Sequence, residues 1–261
     1  MATNKELMMS VVDEDGFGLE YAPDGLNGDK DVVLRAVANE GCALMFASDA
    51  MRGDKEVVMC AIEHDCFALE YASDELRSNV EVVMTAVQDT GHALECASDA
   101  LRGDKEVVMD AIQIDAKAFK YASDELRGDK EVVLSAIYRD KYAIQDASEE
   151  LYGDKEVILS AVKQLGWSLQ FASDELRGDK EVVTCAVKQD VNAFDYASDV
   201  LRNDLLFIYA LLKITNIETE HVWLGEVLMN YQKMGGYVPV NEIGVKKGLA
   251  AGVTKEICEY L

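Results

Sequence analysis

Asp129-Lys130-Glu131-Val132-Val133-Leu134-Ser135-Ala136-Ile137 returns, lightly edited, at residues 54–62 as Asp-Lys-Glu-Val-Val-Met-Cys-Ala-Ile and at residues 179–187 as Asp-Lys-Glu-Val-Val-Thr-Cys-Ala-Val. The interval between copies is always a multiple of 25 residues. Stepping by 25 from Asn4 gives Asn4, Asp29, Asp54, Asn79, Asp104, Asp129, Asp154, Asp179 and Asp204, an unbroken Asp or Asn column. A fixed period of this length is the mark of stacked structural repeats. The expected fold class is therefore all-α: an α-solenoid of eight 25-residue helical hairpins starting at 4, 29, 54, 79, 104, 129, 154 and 179 and covering 4–203, with a divergent helical C-terminal cap or docking region over 204–261.

Other columns repeat in step. Alanine holds positions 22, 47, 72, 97, 122, 147, 172 and 197, and a large apolar residue stands four places later, from Leu26 and Met51 to Leu201. Glycine holds most of a third column, with Ser78 and Asn203 as its exceptions. The Asp or Asn side chain is suited to accept hydrogen bonds from the free N–H groups at a helix start. Glutamates such as Glu106 and Glu131 suit the positive end of the helix dipole, and arginines such as Arg127 and Arg177 suit the negative end of the preceding helix. The glycine column is expected to supply a left-handed helix-ending turn.

The first helix of a unit is predicted over Lys130 to Arg139, with Val132, Val133, Leu134, Ala136 and Ile137 on its apolar side. At about 100° per residue these span an arc of about 200°, too wide for one partner helix but right for a helix held between its own unit and its neighbours. A second helix is predicted over, for example, Tyr142 to Tyr152, with a core stripe in another copy of Ala68, Leu69, Ala72 and Leu76. One continuous second helix is preferred to the alternative in which Ser73 caps a separate short turn of Asp74, Glu75 and Leu76.

The pattern changes at Leu205 to Leu212, which is apolar nearly all round and is expected to form a buried closing helix. Further helices are expected near 218–233, 242–249 and 255–261. No dedicated cap precedes the first unit, so the columns at Leu7, Met8, Met9, Val11 and Val12 are expected to face outward at that end, with Trp223 in the complementary C-terminal surface.

The formal net charge of -24 disfavours nucleic acid and anionic lipid surfaces as partners and favours basic ones. Six cysteines fall in several columns without metal-ligand spacing, so reduced packed thiols are expected. The longest apolar run, Leu205 to Leu212, is too short to span a membrane, which takes about 20 residues. The first residues carry no secretory pattern, and an intracellular, soluble or peripheral protein is expected.

The unit resembles a family of short helical repeats catalogued only as a domain of unknown function, whose pattern is close to Asp-Lys-Glu-Val-Val-Leu-x-Ala-Val followed by Ala-Leu-x-Tyr-Ala-Ser-x-Glu-Leu-Arg. The resemblance covers residues 4 to 204 and is closest in the copies starting at Asp54, Asp129 and Asp179. It implies a helical repeat fold and brings no activity, cofactor or catalytic residue.

Motifs that suggest chemistry have structural explanations. Arg-Gly-Asp at 52–54, 102–104, 127–129 and 177–179 reads as a helix end followed by the next cap. Asp13-Glu14-Asp15-Gly16 has its glycine in the wrong place for a calcium loop, and His64-Asp65-Cys66 lies in a linker without the spacing of a catalytic array. No phosphate-cradling loop or dinucleotide fingerprint is present, so neither a cofactor nor an enzyme activity is expected. The remaining lead is a row of variable aromatic positions: Phe17 with Tyr21, Phe67 with Tyr71, Tyr142 with Asp146, and Trp167 with Phe171. These form either a binding face or a set of rings packed between successive repeats. A non-catalytic interaction or assembly scaffold, acting on protein partners or on its own copies, is the function expected; the alternative is an acidic protein binding cations or small ligands.

Overall fold

A computed structural model describes residues 3–23, 25–204, 207, 208, 210 and 211. Among these the chain is a stack of eight helical units with no strand. The first helices are Asn4–Glu14, Lys30–Asn39, Lys55–His64, Val80–Val87, Lys105–Ile114, Lys130–Arg139, Lys155–Gln164 and Lys180–Gln189. They start where the columns predict. Asp129, for example, is extended at φ -77 and ψ 116 and accepts from the N–H groups of Glu131 and Val132 at 2.9 and 3.1 Å. Asn4 is the exception at the head of the column. Thr3 caps that helix, and Glu6 reaches back to the Thr3 N–H in a capping box.

Most of the apolar arc is buried as expected: Val132, Val133, Ala136 and Ile137 are fully inaccessible, as are most of their counterparts in other units, while Leu134 at the edge of the arc is only half-buried. This continuous core runs through all the units. Fully burying each such valine or isoleucine contributes about 1.5–3 kcal/mol.

The second helix is not continuous, which corrects the preferred expectation. Each unit instead has a 3-10 segment, such as Cys66–Tyr71, then a break, then a helix of a single turn, such as Asp74–Arg77. In the unit expected to be helical over Tyr142 to Tyr152 the pieces are Ala143–Asp146 and Glu149–Gly153, both 3-10. The break falls at the Ala-Ser pair. Ala72 and Ser73 are extended, and the Ser73 hydroxyl accepts from the Leu76 N–H at 3.4 Å. The Ser73 backbone N–H donates to the carbonyl of Arg52 in the preceding unit at 2.9 Å. A continuous helix would have spent that N–H internally; a bond to the neighbouring unit replaces it. The same bond recurs from Ser48, Ser98, Ser123, Ser148, Ser173 and Ser198, at 2.8 to 2.9 Å.

The glycine column also differs from expectation. Gly53, Gly103, Gly128 and Gly178 have φ between -93 and -97, not left-handed, which is why Ser78 and Asn203 fit the same column at φ -99 and -105. A helix of one turn ends directly in the extended residue that caps the next helix, so no left-handed residue is needed. Where an arginine precedes this column it pairs with an aspartate three residues earlier, as Arg127 does with Asp124.

A second link joins neighbouring units. Lys105 lies 2.9 Å from Asp129 and 2.8 Å from Glu131, and Lys30, Lys130 and Lys155 bridge the equivalent acids. Lys5 does the same at the first interface. Val80 takes the lysine position in the fourth unit, so the pair toward Asp104 is missing there. Beyond Asp204 the described residues Phe207, Ile208 and Leu211 are helical and buried, in line with a closing helix that begins at that cap. The expected helices after residue 212, and Trp223, lie outside the described residues.

The lysine beside each cap holds the carboxyls of Asp29, Asp54, Asp129 and Asp154 below the ordinary value of 3.8, against the opposing effect of partial burial. A group with a lowered folded-state pKa contributes stability that is complete above its unfolded value and is lost as pH falls through the folded one. Melting temperature is therefore expected to fall as pH drops below 3.8, and Asp129→Asn should reduce that dependence; a melting temperature unchanged down to about pH 3 would count against the ladder. At neutral pH, Asp129→Ala should cost about 1 kcal/mol in denaturant unfolding.

Gly166 opens its 3-10 segment against the next unit, where an added Cβ would lie 2.5 Å from the Ala186 carbonyl oxygen. Gly153 has nothing within 4 Å of the same construction. Gly166→Ala is expected to cost about 1–3 kcal/mol by overpacking. Gly153→Ala should be neutral or slightly stabilising, and equal costs at the two sites would contradict this spacing.

Candidate functional site

The 3-10 segments of successive units lie side by side and form one face. Two positions of each segment point inward, the Ala-Leu pair at 43–44, 68–69 and 93–94 being fully buried. The residues on either side of that pair point outward. One outward row is Phe17, Cys42, Phe67, His92, Lys117, Tyr142, Trp167 and Asn192; the other is Glu20, Met45, Glu70, Glu95, Lys120, Gln145, Gln170 and Asp195. The second row is exposed in all eight units. The frame beneath is nearly constant, and the chemistry above it changes from unit to unit.

The aromatic positions combine the two roles that sequence left open. Phe17 meets Phe46 of the next unit edge-on, with centroids 6.3 Å apart, and His92 meets Tyr121 in the same manner at 5.4 Å. Tyr142 lies 6.2 Å from Trp167, and Phe171 is 5.7 Å from both Trp167 and Tyr152. The rings therefore pack across unit boundaries. Phe17, Met45, Phe67 and Tyr142 nevertheless keep 39 to 44% of their surface exposed. Trp167, Tyr71 and Phe171 are half-buried. Residues four apart, such as Phe67 and Tyr71, share a stripe on an α-helix but are turned by about 120° on a 3-10 helix. A single aromatic stripe is thus replaced by two rows that meet between units.

At the N-terminal end Leu7 is 57% and Val11 45% exposed. Their counterparts, including Val32 and Val57 and Ala36 and Ala61, are fully buried. Met8, expected on this end surface, is only 5% exposed; its column turns into its own unit, as Val33 does in the next. Val12 is fully buried for the same reason.

The titratable groups of the linkers serve packing. Asp65 caps its 3-10 segment through the Phe67 N–H and accepts the Cys42 thiol at 3.0 Å. Burial first, and then this carboxylate, pushes Cys42 up to about 12. Burial and Asp89 push Cys66 up to about 11. A thiol held neutral is a poor nucleophile. Among the described residues no three of His, Cys, Asp and Glu come together to hold a metal ion. A shallow groove between the fourth and fifth units is lined by Glu95, Arg102, Lys120, Tyr121, Ser123 and Arg127, with the two guanidinium groups engaged by Asp99 and Asp124. No helix among the described residues is long and apolar enough to cross a membrane.

These features define an all-helical tandem-repeat solenoid with a variable face laid over a constant frame. The chain belongs to the family described as a domain of unknown function (DUF4116), whose profile matches residues 4–52, 54–102, 104–152 and 154–213. Each match covers two of the 25-residue units, and the last extends past Asp204 into the divergent segment. No curated protein and no solved structure matches the chain.

The thiol environment has a direct consequence. Cys42 and Cys66 should resist iodoacetamide in the folded protein at about pH 8 and react fully after denaturation. Rapid labelling of either in the native state, read by peptide mass spectrometry, would contradict the burial of Cys66 and the hold of the Asp65 carboxylate on the half-buried Cys42 thiol.

Proposed function

We propose that this chain is a non-catalytic scaffold for protein interaction or assembly. One observation carries the reading: four large apolar side chains, Phe17, Met45, Phe67 and Tyr142, stand about two-fifths exposed on a face whose underlying Ala-Leu frame is buried. Exposed apolar side chains in a row rimmed by charge are characteristic of contact surfaces. Change at the outward positions alone lets neighbouring units offer different contacts while the stack is unaltered. The neutral thiols of Cys42 and Cys66 and the capping role of Asp65 support the non-catalytic side of the reading.

A second contact surface within the same reading is the N-terminal end face, favoured by the exposure of Leu7 and Val11 in columns that are buried elsewhere. Stacking of such a face on a partner or another copy would continue the core.

Crosslinking in the native cell followed by sizing is expected to find the chain in a particle larger than its own 28.8 kDa. Phe67→Ser with Tyr142→Ser should weaken that association on the order of tenfold, with helical circular dichroism retained. Leu7→Glu with Val11→Glu reports the end face separately. A monomer in cells with no crosslinked partner would overturn the scaffold reading.

A further inference from the structure

The basic residues are not spread evenly over this acidic chain. Residues 4–103 and 104–203 each carry 21 Asp and Glu, but the first stretch has 7 Lys and Arg and the second has 13. Two of the extra lysines, Lys117 and Lys120, lie on the 3-10 face of the fifth unit, and Lys141 lies in the turn just before the 3-10 segment of the sixth; all three are exposed. None of the three forms an ion pair among the described residues; Lys120 and Lys141 rest over Tyr121 and Tyr142, at 5.6 and 5.1 Å from the ring centroids. The same face carries Glu20, Glu70 and Glu95 in the first four units and no Lys or Arg.

The order of these residues along the face is informative. The exposed row reads Glu20, Met45, Glu70, Glu95 and then Lys120, Gln145, Gln170, Asp195. A second copy turned by a twofold axis at the boundary between the fourth and fifth units would oppose the fourth unit to the fifth, the third to the sixth and the second to the seventh. Glu95 would then meet Lys120, and Glu70 would meet the uncharged Gln145. In the other row Phe67 would face Tyr142 and Cys42 would face Trp167, bringing exposed or half-exposed apolar groups together. Within these two rows only the outermost units oppose like charges, at Glu20 and Asp195. A twofold contact of this type is self-complementary, each pair occurring twice.

We propose that the 3-10 face is the docking surface for a second copy of this chain, arranged antiparallel and centred between the fourth and fifth units. The proposal rests on the scaffold reading and names the partner. Two chains of net charge -24 repel each other at long range. Over a screening length of about 8 Å at physiological salt that repulsion is reduced, and the charges in direct apposition decide the contact. The aromatic groups supply non-directional attraction, and the Glu95–Lys120 pairs set orientation.

The test is a charge exchange on the purified full chain, read by sedimentation velocity over a range of concentrations, with circular dichroism as the check of folding. The unaltered chain is expected to be a dimer. Lys120→Glu alone places acid against acid, Glu95→Lys alone places base against base, and each should weaken dimerisation on the order of tenfold or more. A mixture of the two variants should restore the dimer as a mixed pair, since both contacts then join opposite charges. If the unaltered chain dimerises and neither variant weakens it, the contact lies elsewhere, as at the Leu7 and Val11 end, and the proposal is overturned while the scaffold reading stands. If the purified chain is a monomer at every concentration, self-docking is overturned, and crosslinking in cells then decides the scaffold reading independently.

Discussion

The rest of the structure depends on one backbone hydrogen bond, from the N–H of the serine in each Ala-Ser pair to a carbonyl in the preceding unit. Giving that N–H to a neighbour ends the 3-10 segment and turns the chain, and in five of the seven units the serine hydroxyl caps the one-turn helix that follows. The turn in turn brings the next Asp to the head of its helix. A unit of 25 residues cannot bury its own apolar faces, so its shape is set by what its neighbours offer. Seven repetitions of one bond at 2.8 to 2.9 Å hold the units in register without a disulfide or a metal ion among the described residues.

The lysine ladder adds an electrostatic layer to the same register. Each lysine is more than a third exposed, so each pair is weak by itself. Its effect is on alignment, because Lys105 contacts a cap of the next helix and the glutamate that follows it, and neither contact survives a slip of one residue. The missing rung at Val80 leaves the fourth-to-fifth boundary to the serine bond, to a bond from the Gly91 N–H to the Asp115 carboxylate at 2.9 Å, and to side-chain packing that includes His92 against Tyr121.

Function on such a frame is confined to what the frame does not use. The buried columns are apolar with Ser168 as an exception, the caps of the long helices after the first are Asp or Asn, and a serine follows the alanine in seven of the eight units. The two outward rows of the 3-10 face lie outside these columns, and there the chain varies from Phe to Cys to His to Lys to Trp. The acid excess lies mostly on exposed helix starts and turns, and the few lysines outside the ladder are therefore conspicuous.

Sequence by itself determined the period, the register, the helix over Lys130–Arg139 and the columns that are buried, because these follow from local spacing and from the chemistry of a helix start. It also placed Phe67, Tyr142 and Trp167 at variable positions, and only their surroundings were open. Tertiary structure alone decided that the second helix breaks at Ser73, since the acceptor that competes for its N–H, the Arg52 carbonyl, belongs to another unit. It decided that the glycine column is not left-handed, that Met8 is core while Leu7 is surface, and that rings four residues apart meet rings of the next unit. The serine bond and the ring contacts depend on groups in a neighbouring unit, and a pattern read along one unit carries no information on how closely the next one lies.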